Sequence, residues 1–124
     1  GACEAWVPVL GEMYNERKDE GFDIMVVIGE DTAGNPPTLE YCKKYAKDKG
    51  ISPEQTFIDH NGAAWGTMFS YVNNYSSGSF GIPWNVIFDG RSMEYAYSDT
   101  ASGSEGRDQT RDRLLDEFNA IPTE

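Results

Sequence analysis

The chain predicts an α/β domain with a mixed sheet, and three observations carry that expectation. A helical pattern at the start is followed by an apolar strand pattern at residues 22–28 and then by a second helical pattern. A crossover helix of this kind pairs its flanking strands in parallel within an α/β layer. Residues 80–90, Phe-Gly-Ile-Pro-Trp-Asn-Val-Ile-Phe-Asp-Gly, turn through Gly-Ile-Pro straight into an apolar strand that stops at Asp-Gly. A hairpin and a closing helix then complete the chain. At 124 residues, it reads as a single domain, 1–124, large enough for a core without disulfide staples.

Residues 4–19 read as the first helix, with Trp6, Val9, Leu10, Met13 and Arg17 at helical spacing and Glu12, Glu16 and Asp19 on other faces. Pro8 removes one backbone donor inside the pattern and is expected to kink it. Gly21 ends it, since glycine takes the left-handed cap without a Cβ penalty. Residues 22–28 are short, β-branched and almost continuously apolar, as in a strand covered on both faces. Residues 29–37, rich in Gly, Asn and Pro, form a loop. Thr38 caps a second helix that runs to Lys49, with Leu39, Cys42, Tyr45 and Ala46 on one face, and Gly50 stops it. Lys43, Lys44, Lys47 and Lys49 suit the negative end of its dipole.

Residues 56–59 are a short extended piece, and Asn61-Gly62 turns the chain. A helix is expected over residues 63–72 and a polar loop over 73–79. Residues 84–88 and 93–98 are two further strands, joined by a hairpin turn at Asp89-Gly90-Arg91-Ser92. Residues 99–106 read as loop. Residues 107–119 form the last helix, with Leu114, Leu115 and Phe118 facing inward.

Composition excludes several classes. The formal net charge of -11 repels phosphate backbones and anionic bilayers, so neither nucleic acid nor a membrane surface is an expected partner. The longest apolar run, Ile24-Met25-Val26-Val27-Ile28, is far too short to insert in a bilayer. Two cysteines and one histidine without metal-like spacing give neither a disulfide framework nor a zinc site. The chain starts at Gly1 without an initiator methionine, so it is silent on a leader peptide.

The order of motifs resembles the thioredoxin-like fold, closest to the redoxin branch that includes periplasmic thiol-disulfide oxidoreductases. In that family a strand delivers Trp-Cys-x-x-Cys at a helix N-terminus, and a proline follows five residues after the second cysteine. Cys3 and Pro8 have that spacing, with Gly1-Ala2 as the two intervening residues. Gly81-Ile82-Pro83 matches the family's Gly-x-Pro turn, whose proline is cis, and Asp89-Gly90 matches the end of the strand that follows. The resemblance implies a three-layer α/β/α sandwich whose first, central strand is missing from this sequence. It also places the attacking cysteine immediately before Gly1.

What the resemblance implies for chemistry is dithiol-disulfide exchange with protein or small thiol substrates, without a cofactor. Cys3 is the resolving thiol, on a helix N-terminus that favours thiolate. Pro83 shapes the substrate groove. Ile82 offers its backbone to an extended substrate segment, in the manner of strand addition. Trp84, bulkier than the residue usual after this proline, narrows or lines the groove. The branch points to a bacterial periplasm or cell surface. A redox-inactive thioredoxin-like binding module is the alternative, with Cys3 incidental and the Trp84 groove holding a partner. A peroxidase of the peroxiredoxin type is a third and weaker reading.

Other residues read more simply. Cys3 is otherwise a half-buried structural cysteine, and Cys42 is a small core residue. A Cys3–Cys42 bridge is disfavoured, since the two helices are expected on opposite faces of the sheet. His60 lies in a solvated turn. Trp65, Phe69, Tyr71, Tyr75 and Phe80 are core and rim, or shape a partner groove. Asp99, Ser102, Ser104, Glu105 and Asp108 lack calcium-loop spacing. Asn74-Tyr75-Ser76 is a glycosylation sequon.

Overall fold

The helical spacing at the start becomes α1, Ala2–Arg17, continued by one 3-10 turn at Lys18–Glu20. The helix runs unbroken through Pro8, whose missing N–H removes only the bond to the Glu4 carbonyl. Gly21 takes the left-handed conformation, φ 84°, and its N–H donates to the Lys18 carbonyl at 3.2 Å. The computed structural model describes residues 1–64, 66–67, 83–100 and 103–123. Most of the helix expected over 63–72 lies outside these, as do the loop at 73–79, the sequon, Trp65, Phe69, Tyr71, Tyr75, Phe80, Gly81 and Ile82.

Among the described residues three α-helices pack with four strands in an α/β architecture, the strands forming two two-stranded sheets. The chain divides into two compact units, Gly1–Val9 with Phe80–Glu124, and Leu10–Ser79; the division falls inside α1.

In the unit Leu10–Ser79, β1 (Val26–Ile28) and β2 (Thr56–Ile58) pair in parallel, Val26 opposite Thr56 and Ile28 opposite Ile58. The crossover between them is α2, Leu39–Lys49, as the strand-helix-strand order requires. Thr38 Oγ1 accepts from the Tyr41 N–H at 3.1 Å, and Gly50 closes the helix at φ 73°. Both caps stand where the sequence puts them. Met13, Val26, Ile28, Cys42, Ala46 and Ile51 are buried. Gly11 is buried too; a Cβ on it would lie 3.2 Å from Ile51 Cγ2, so this turn of α1 comes close to the end of α2. Leu39, on the first turn of α2, is exposed rather than on the buried face.

The first strand is shorter and less covered than its composition suggests. Ladder pairing is confined to residues 26–28. Asp23 Oδ1 accepts from the Ile24 N–H at 2.8 Å and from Gln55 Nε2 at 2.9 Å, local bonds that compete with a longer strand. Burial alternates instead of covering both faces: Val26 and Ile28 are buried, while Met25 and Val27 are 61% and 44% exposed. Phe57, register partner of Val27, is 46% exposed on the same side.

In the other unit, β3 (Trp84–Asp89) and β4 (Glu94–Thr100) form an antiparallel hairpin. Residues 90–93 connect the strands, with Met93 at φ 59° and its N–H donating to the Asp89 carbonyl at 2.7 Å. The pairing passes from Ile87–Tyr97 to Phe88–Tyr95, so Ala96 is the extra residue of a β-bulge. The last helix is α3, Gly103–Ala120, which packs against β3 and β4. Thr110, Leu114 and Leu115 are its buried residues. The loop expected over 99–106 is thus replaced at both ends. Asp99 belongs to β4, paired with Asn85, and the helix begins at Gly103.

Candidate functional site

Cys3 sits on the first turn of α1, where the Ala5 N–H closes the first bond to the Gly1 carbonyl at 3.2 Å. Its side chain is half-buried and in no disulfide. First-turn N–H groups of a helix carry partial positive charge and favour an anion beside them. One turn further on, Trp6 is 1% exposed, and its indole Nε1–H donates to Asn85 Oδ1 at 2.6 Å. Asn85 is the second residue of β3, two beyond Pro83. The unit Gly1–Val9 with Phe80–Glu124 therefore gathers the turn carrying Cys3 with the start of the strand headed by Pro83 and Trp84.

The two faces of the hairpin differ. Side chains alternate along a strand, so Asn85 and Ile87 share one face and Trp84, Val86 and Phe88 the other. Asp99, opposite Asn85, accepts from Arg113 Nε of α3 at 2.5 Å and from the Tyr97 hydroxyl at 3.1 Å. The start of α1 and α3 thus lie on the same face of β3–β4. Pro83 is buried and directly precedes β3. Trp84 is half-buried and points to the opposite face, with exposed Phe88. The structure joins the turn that carries Cys3 to the start of β3, which Pro83 precedes, and the strand alternation sets the Trp84 side chain on the face opposite Asn85. Ile82 lies outside the described residues.

The amide of Asn85 is half satisfied. Its Oδ1 takes the indole proton, while Nδ2 is buried with no hydrogen-bond partner among the described residues. An indole offers only a donor, so the amide oxygen must face Trp6 and the amino group must face away. A buried unpaired donor costs about 1–3 kcal/mol, whereas one hydrogen bond contributes a net of about 0.5–1.5 kcal/mol. Sequence reading missed this pair, because the partners are 79 residues apart and no local pattern marks a tryptophan-asparagine contact.

The second cysteine is built differently. Cys42 is 2% exposed on α2, and burial pushes its thiol above the ordinary value. That environment keeps a thiol protonated and inert. His60 is exposed, beside buried Asp59, whose Oδ1 accepts from the Ala64 N–H at 2.8 Å. Among the described residues no group of three or more His, Cys, Asp or Glu side chains is arranged to hold a metal. An open cavity of about 250 Å³ lies at the other end of β3–β4, lined by Asp89, Glu94, Tyr95, Glu117 and Ile121 among others. It includes none of the sequence-selected site residues. No family model, no characterised protein and no solved structure matches this chain.

Proposed function

We propose that the chain is a thiol-disulfide oxidoreductase domain of the thioredoxin or redoxin type, with Cys3 as its resolving thiol. The observation that carries this reading is the joining of the Cys3 turn to the Pro83 end of β3 through Trp6 and Asn85. The start of α1 and α3 form one helical layer on β3–β4. The reading takes the three-layer α/β/α sandwich of that family as its fold, with the attacking cysteine supplied ahead of the helix that carries Cys3.

The exchange balances without a cofactor. The attacking thiolate bonds to one sulfur of a substrate disulfide and expels the other as thiolate. Cys3 thiolate then attacks the enzyme sulfur of that mixed disulfide and releases the second substrate thiolate. Two electrons pass to the substrate, and the domain keeps a disulfide between Cys3 and the attacking cysteine. Pro83 borders the groove, and the Ile82 backbone receives an extended protein substrate. The periplasm or cell surface is the compartment proposed for this exchange.

A second reading has its own observation. Half-buried Trp84 and exposed Phe88 share the face of β3 opposite the start of α1 and α3, a surface suited to a redox-inactive binding module. One experiment separates the two: the residue preceding Gly1 in the native polypeptide, read by intact mass and terminal peptide sequencing, followed by a protein-disulfide reduction assay. Cysteine at that position, with Cys3→Ser trapping a mixed disulfide with substrate, supports exchange. Any other residue removes the dithiol mechanism and leaves the binding module.

A further inference from the structure

Trp6 and Asn85 are an uneconomical pair if stability is their purpose. The indole is almost fully buried, and its bond to Asn85 Oδ1 is short, at 2.6 Å. Yet the same asparagine brings a buried amino group that has no partner among the described residues. The cost of that amino group offsets what the bond contributes, and an apolar pair of similar volume would serve a core at least as well. What an apolar pair cannot supply is direction. An N–H aimed at one oxygen fixes both the rotation of α1 and its sliding along the strand, where hydrophobic contact tolerates either.

The pair sits where direction matters. Trp6 follows Cys3 by one helical turn, so the two share a helix face. Asn85 is the second residue of β3, and buried Pro83 directly precedes that strand. Fixing Trp6 on Asn85 therefore ties the turn that carries Cys3 to the end of β3 that Pro83 precedes.

We propose that Trp6 and Asn85 are positioning residues, whose indole-amide bond holds the thiol of Cys3 in register with Pro83. Neither side chain takes part in the sulfur chemistry. The inference rests on the exchange reading for its effect on rate, and on the fold alone for its effect on placement.

The test compares Asn85→Leu, which removes the acceptor, with Asn85→Asp, which keeps an oxygen for the indole. Nuclear Overhauser contacts between Cys3 Hβ and the Pro83 ring report placement, and the Trp6 indole N–H resonance reports the bond. In the native polypeptide, kcat and KM for a peptide disulfide report function. Denaturation midpoints report stability.

The expected result is a Cys3–Pro83 contact in the parent protein that Asn85→Asp retains and Asn85→Leu loses, with the midpoint of Asn85→Leu close to the parent's. Alongside it, kcat falls about tenfold or more in Asn85→Leu at nearly constant KM, the scale on which a misplaced reacting group is felt. Should Asn85→Leu not fold, the double variant Trp6→Phe/Asn85→Leu, which removes both polar partners together, takes its place. The proposal is overturned if the parent shows no Cys3–Pro83 contact, if the leucine variant keeps it, or if the aspartate variant loses it as leucine does. A parent polypeptide without exchange activity removes the oxidoreductase reading, and the Overhauser contacts still decide the positioning role.

Discussion

Cys3 and Cys42 are the same residue type in opposite circumstances. Cys3 is half-buried at a helix start, and Cys42 is closed inside the unit Leu10–Ser79 with its thiol pushed up by burial. Iodoacetamide under native conditions is therefore expected to alkylate Cys3 and spare Cys42, with peptide mapping as the measurement; modification of Cys42 without denaturant refutes it. Burial also gives stability a pH dependence of known sign. A thiol whose value is raised on folding contributes fully below its unfolded value, near the ordinary 9.0, and that contribution is lost as pH rises through the folded value. Denaturation midpoints should fall above about pH 9, less steeply in Cys42→Ala than in the parent. At this scale the sequence was legible for Cys42, which follows from its place on an apolar helical stripe. It was silent on Asn85, whose partner is fixed only by tertiary packing.

The elements repeat that division between local and distant causes. Both caps of α2 and the left-handed Gly21 follow from single residue types with one favourable backbone role, so they were readable. Thr38→Ala should cost about 1 kcal/mol, as loss of an N-cap oxygen does. Gly50→Ala should cost about 1–2 kcal/mol, because φ 73° sets a Cβ too close to the backbone. Urea denaturation checks both, and an unchanged midpoint for either removes its cap from the account. The strand over residues 22–28 was read too long and too deeply covered. Its β-branched composition reports propensity, whereas ladder length depends on β2 and on the Asp23 bonds to Ile24 and Gln55. The ends of the expected loop over 99–106 escape the sequence for a related reason: Gly103 and Gly106 look like breakers, and only pairing of Asp99 with Asn85 places that residue in β4.

For the whole chain, charge is the dominant collective property. A formal net charge of -11 makes the compact state repel itself. Raising salt from about 0.01 M to about 0.1 M shortens the screening length from about 30 Å to about 10 Å. The denaturation midpoint should rise over that interval; a fall would mean that attractive ion pairs outweigh the repulsion. The pairs in view argue for a rise. Arg17–Glu20, Lys44–Asp48 and Arg91–Asp89 are local surface contacts, a class worth little individually, and Arg113–Asp99 joins α3 to β4.

The extra residue in β4 has a consequence of parity. β3 has six residues and β4 seven, and the odd one, Ala96, reverses the order of inside and outside partway along the hairpin. Tyr97 therefore stands with the helices and reaches Asp99. Tyr95 stands on the opposite side, within 2.8 Å of the Ser98 hydroxyl. Two tyrosines spaced as neighbours on one face thus serve two faces. One inserted methyl-bearing residue lets the same short ribbon keep one tyrosine with a helix and turn the other toward the Ser98 hydroxyl.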